Sequence, residues 1–221
     1  MNNQVLLDKL SEFLMVEQCG WQLYRVVGER ATDPELQARY QEFGRETDRH
    51  RTILTGLIRD LGGDPDYVSP TARLAQAKSE ALLGSALVSG PLGEAEREAN
   101  DLENVLLAET KDHADWELLG KLADQLPNGK TKTAIEAAVA EVEPQEDEHL
   151  GWAQTKLAEL GLRAITEEPS PDPRRLGRVV IEPDLKMKEV HAAPIDKRSL
   201  AEGAKLPAAQ KTPTSRTSSG P

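Results

Sequence analysis

The sequence predicts an all-α protein: a four-helix bundle with a short extra helix crossing between the second and third long helices, followed by a disordered C-terminal tail. Three observations carry that prediction. Apolar residues recur at steps of three and four over four long stretches, the period of a helix with one buried face. N-cap, proline and glycine signals separate the stretches. Three of the four histidines follow a glutamate by three or four residues on those apolar faces, spacings that put both side chains on one side of a helix.

The first long helix, residues 3–29, aligns Leu6, Leu10, Phe13, Glu17, Gly20, Tyr24 and Val27, so Glu17 interrupts an otherwise apolar stripe. Thr32-Asp33-Pro34 supplies an N-cap and a proline at the first helical position, and so short a connection makes the next helix antiparallel to the first. That second helix, 34–61, aligns Leu36, Tyr40, Phe43, Glu46, His50, Ile53, Leu57 and Leu61 and stops at Gly62-Gly63-Asp64-Pro65.

Residues 70–88 form a shorter helix of small residues, ended by Ser89-Gly90-Pro91. The connection 62–92 is long enough to cover the roughly 40 Å of a 28-residue helix, which allows the third long helix to run parallel to the second. The third, 93–126, carries Leu102, Val105, Leu106, Glu109, His113, Trp116 and Leu119 inward and ends at Pro127-Asn128-Gly129. The fourth, 131–160, carries Ile135, Val139, Val142, Glu146, His149, Ala153 and Leu157, with Gly161 as its expected stop. Pro144 removes a backbone hydrogen bond beside Glu146 and is expected to bend that helix.

Charge divides the 221 residues into a bundle of 1–163 and a tail of 164–221. The first part carries 17 Lys+Arg against 30 Asp+Glu, a net −13, out of −11 for the whole chain. An acidic domain repels phosphate backbones and attracts cations, which excludes nucleic acid and favours metal ions as partners. One cysteine, Cys19, excludes an intrachain disulfide and a four-sulfur metal module. No leader-like start and no run of 18 apolar residues is present, so the expected location is cytoplasmic, away from the membrane. The tail holds eight of the fourteen prolines and a Ser/Thr-rich end, and is read as disordered, with Arg178–Ile181 and Ile195–Leu206 as segments able to dock on a partner.

The four inward glutamates, Glu17, Glu46, Glu109 and Glu146, lie near the middles of their helices. Mid-height is the level that coincides in a bundle whichever way each helix points. Four converging carboxylates without partners would protonate or destabilise the fold, whereas divalent cations neutralise them. A weak internal repeat points the same way. Glu17 is followed at +7 by Tyr24 as Glu109 is by Trp116, and Glu46 and Glu146 each have a histidine one turn on. Tyr24, Trp116 and Trp152 are read as core packing, and Cys19 points away from the site.

On these residues the stretch 3–161 resembles the ferritin-like superfamily of di-iron carboxylate proteins, which includes bacterioferritins, rubrerythrins and bacterial ferritin-like stress proteins. The family pattern is Glu, Glu-x-x-His, Glu, Glu-x-x-His on successive helices. The resemblance implies Glu17 and Glu109 as terminal ligands, Glu46 and Glu146 as bridges, and His50 and His149 as caps of two Fe ions, or of Mn in their place. Glu146-Asp147-Glu148-His149 fits the pattern. Glu46-Thr47-Asp48-Arg49-His50 departs from it, because Arg49 stands where the ligand belongs. His113 lies outside the pattern and offers an extra ligand. The implied activity is O2 or peroxide chemistry in iron handling or oxidative-stress defence, with an external electron donor and a homo-oligomer, dimer or larger. The alternatives are non-catalytic metal storage and a structural stress-associated bundle with a degenerate site.

Overall fold

The computed structural model describes residues 3–89 and 92–166, and among these it contains five helices and no strand: α1 (Asn3–Arg30), α2 (Pro34–Asp60), α3 (Pro70–Val88), α4 (Glu94–Gln125) and α5 (Lys130–Thr166). Side-chain caps start α2 and α3, the first of them as expected. Asp33 accepts from the Glu35 amide ahead of α2, and Ser69 accepts from the Ala72 amide ahead of α3, each with proline at the first turn. α2 closes with Gly62 at φ +79°, a left-handed conformation that glycine adopts without a Cβ clash.

α5 overruns its expected stop. Gly161 has open space around it, and the helix continues through it to Thr166 because the last turn has partners. Leu160 is buried, and Arg163 pairs with the buried Glu98 near the start of α4. The helix therefore takes in residues 164–166 of the expected tail. The remainder of that tail, 167–221, with both docking segments, lies outside the described residues.

Cross-helix contacts give the directions. Arg30 meets Asp101, Tyr24 meets Glu109 and Trp116 meets Glu17, so α4 runs antiparallel to α1. Arg39 meets Glu148 and Arg49 meets Glu141, so α5 runs antiparallel to α2. With α1 and α2 joined by a tight connection, α2 and α4 point the same way, as the long connection allows. α3 makes the return. Ser69 at its start bonds the Asp8 carbonyl early in α1, and Ser89 at its end accepts from Arg30 at the end of α1. α3 packs on α1 and α4, outside a ring of four long helices in which α1 touches α2, α2 touches α5, α5 touches α4 and α4 touches α1.

The core is two apolar layers. Leu10, Phe13, Leu54, Ile58, Leu119, Ile135 and Val142 belong to one, and Leu23, Leu36, Tyr40, Phe43, Leu102 and Ala153 to the other. Gly44 admits Tyr24 into the second layer, since a Cβ there would sit 3.3 Å from the Tyr24 Cβ. The buried Glu17, His50, Glu109, Glu146 and His149 belong to neither layer.

Candidate metal centre

Two groups of buried side chains form this polar centre, Glu17 with His50 and Glu146, and Glu109 with Glu146 and His149. Within each group the potential ligand atoms lie within 4.8 Å of one another. Glu146 belongs to both. The four helices contribute because each residue sits on the inward face of its helix: Glu17 from α1, His50 from α2, Glu109 from α4, and Glu146 with His149 one turn apart on α5.

His50 Nδ1 lies 2.9 Å from Glu146 Oε1 and 3.6 Å from Glu17 Oε1. His149 Nδ1 lies 3.4 Å from Glu109 Oε2 and 3.7 Å from Glu146 Oε1. Despite these approaches both Nδ1 atoms lack hydrogen-bond partners, so close contact is present without hydrogen-bond alignment. Glu17 Oε2, Glu109 Oε2, both oxygens of Glu146 and Asp112 Oδ1 are likewise buried and unpartnered. The other oxygens of the two terminal glutamates are held: Trp116 Nε1 donates to Glu17 Oε1 at 2.8 Å, and the Tyr24 hydroxyl donates to Glu109 Oε1 at 2.9 Å. Unpaired buried acceptors are costly. A divalent cation would satisfy them together, and carboxylate with imidazole is a donor set that suits Fe(II) and Mn(II).

Two expected residues lie elsewhere. Glu46 is half-buried outside both groups, and its Oε2 sits 2.8 Å from His149 Nε2, the ring nitrogen that faces away from the carboxylates. The chain repeat explains this. Gln145 stands four residues before His149 as Glu46 stands four before His50, and Gln145 Oε1 lies 2.7 Å from His50 Nε2. Aligned on the histidines, the α2 counterpart of Glu146 is Thr47, which is buried and bonds back to the Phe43 carbonyl at 2.9 Å. His113 is also outside, paired with Asp147 at 2.8 Å and one-quarter exposed. At four residues past Glu109 it falls on the α5-facing flank of α4.

Besides Gln145, and the hydrogen bonds of Tyr24 and Trp116, the sequence reading missed Asp112. It is 4% exposed, and its carboxyl is held well above its ordinary range by burial and by repulsion from Glu17, Glu146 and Glu109. Its signal was present: Glu109-x-x-Asp112 is the same one-turn spacing as Glu146-x-x-His149.

The electrostatics reflect carboxylates crowded out of water. Burial and the Glu109 charge push Glu146 up to about 8. Burial pulls the histidines down, but the carboxylates outweigh it: Glu146 and Glu17 raise His50 to about 10, and Glu109, Glu146 and Glu46 raise His149 to about 9. Among the described residues, the cationic partners of Glu17, Glu109 and Glu146 are these two imidazoles.

Fold and centre together define a helical bundle with a buried carboxylate and imidazole cluster. Comparison with protein-family models, curated proteins and solved structures returned no match for this chain. Among the described residues no helix is long and apolar enough to cross a membrane.

Proposed function

We propose that this chain is a ferritin-like two-metal protein that binds a pair of iron ions, or manganese in their place, and uses them on O2 or peroxide in iron handling or oxidative-stress defence. The observation that carries the reading is Glu146: both its oxygens are buried without hydrogen bonds, and it alone is shared by the two carboxylate and imidazole groups. The helix path supports it too, because a bundle with one long crossover is the ferritin-like arrangement. In this reading Glu17 and His50 hold one ion, Glu109 and His149 the other, and Glu146 both.

When bound, such a pair supplies redox-active metal with open positions for O2 or peroxide. Trp116 and Tyr24 fix the terminal carboxylates so that each offers its bare oxygen. The apolar layers keep bulk water away, which strengthens every charge interaction inside. One cysteine cannot build an iron-sulfur relay within these residues, so electrons for repeated turnover come from an external donor.

A second reading has an observation of its own. Because the carboxylates raise both histidines, two imidazolium ions can neutralise the cluster in a metal-free, structural bundle. Metal analysis of protein purified without chelators, followed by anaerobic Fe(II) titration, separates the two. Two irons per chain, lost in Glu146→Ala with helicity kept, is the result expected for the two-metal protein. No iron bound above background would leave the structural bundle. Oxidation of the bound Fe(II) by O2 or peroxide then separates redox chemistry from storage.

A further inference from the structure

The two imidazoles stack across the bundle with ring centroids 5.9 Å apart and planes 28° from parallel, and each is held from behind by the other's helix. Gln145 of α5 meets His50 Nε2 at 2.7 Å, and Glu46 of α2 meets His149 Nε2 at 2.8 Å. The contacts match in position and differ in charge. A carboxylate oxygen accepts, so Glu46 pairs with a proton on His149 Nε2, and Nδ1, which faces Glu109 and Glu146, is the nitrogen left to take a metal. Gln145 presents its amide oxygen, which also accepts from the ring N–H, but as a neutral group it puts no negative charge behind His50. A carboxylate behind a ligating imidazole also raises the basicity of the nitrogen that faces the metal.

We infer that Glu46 and Gln145 are positioning residues, and that their difference in charge makes the two metal positions unequal, the one with Glu109 and His149 tighter than the one with Glu17 and His50. This inference rests on the two-metal reading. It also gives the Glu46-x-x-x-His50 spacing a purpose: stepping the α2 carboxylate back by one residue takes it out of the bridge and places it behind His149, with Thr47 in the vacated register.

Anaerobic titration with Co(II) tests it, because this ion reports its ligands spectroscopically without redox change. The full chain is expected to bind two Co(II) in steps at least about tenfold apart, with a hyperfine-shifted, exchangeable imidazole N–H signal for each histidine, as Nδ1 ligation requires. Glu46→Gln keeps the side-chain shape and removes the charge, and is expected to weaken the tight step by about 10- to 100-fold. Gln145→Glu is expected to tighten the weak step by a similar factor, and it tests the inference without touching Glu46. A purely structural role predicts that each variant moves both steps together. Two Co(II) bound, with both steps unchanged or shifted equally in the two variants, would overturn the positioning role and leave the two-metal reading standing. No Co(II) bound by the unaltered chain would overturn both.

Discussion

Trp116 of α4 donates its indole N–H to Glu17 of α1 at 2.8 Å, across 99 residues of chain. The reciprocal contact runs from Tyr24 of α1 to Glu109 of α4 at 2.9 Å, and each donor stands seven residues beyond the glutamate of its own helix. Each helix thus orients the other's carboxylate, and the internal repeat becomes a crossed pair of hydrogen bonds.

Tyr24→Phe removes one of these donors and little else. Leaving Glu109 Oε1 buried without it is expected to cost about 1–3 kcal/mol, read as a lower urea midpoint at constant slope. An unchanged midpoint would show that the hydroxyl contributes nothing to stability.

Asp112 is a buried carboxyl among like charges, so Asp112→Asn is expected to raise the melting temperature of the metal-free protein. The same variant is expected to bind metal less tightly, trading affinity for stability. Should it melt lower and bind metal as well as the unaltered chain, Asp112 would be a packing residue.

His113 meets Asp147 at 2.8 Å at the surface, and so exposed a polar contact adds little stability. His113→Ala is expected to keep the metal stoichiometry and to melt close to the unaltered chain. Loss of one metal per chain in this variant would return His113 to the ligand set.

The pH dependence of the metal-free protein has a definite sign. Glu146 keeps its proton to about pH 8 in the fold, against an ordinary 4.5, and His50 and His149 keep theirs to about 10 and 9, against 6.5. All three bind protons in the folded chain that the unfolded chain has released, so their contributions fall as pH rises: through roughly 4.5 to 8 for Glu146 and 6.5 to 10 for the histidines. Chelator-treated protein is therefore expected to melt lower at pH 9 than at pH 5.5. Mn(II) displaces these protons, so its affinity is expected to climb over the same range. A melting temperature that rises across this window without metal would contradict the crowded-carboxylate picture.

Much of the architecture was legible in the chain. Periodic stripes from Leu6 to Val27 and from Leu36 to Leu57, with Asp33-Pro34 as a start and Ser89-Gly90-Pro91 as a stop, place α1 to α3 because burial of one face and satisfaction of end groups are local demands. Glu146-x-x-His149 was legible for the same reason, since one turn of one helix fixes both side chains. The end of α5 was not, because the partner that holds its last turn is Glu98, 65 residues away.

The α2 contribution was decided only by packing. Three residues turn a helix by about 300° and four by about 400°, so Glu46 and Thr47 flank the direction of His50, and sequence spacing cannot say which points inward. The seating of α2 against α5 decides it: His50 reaches Glu146, Thr47 follows it inside, and Glu46 is turned outward to His149 Nε2. Likewise Asp112 and His113 straddle the face of Glu109, and the rotation of α4 against α1 and α5 buries the aspartate and leaves the histidine at the rim. The helical period sets which side chains share a face, and the rotation of each helix against its neighbours, an energy summed over the whole interface, sets which of them enter the centre.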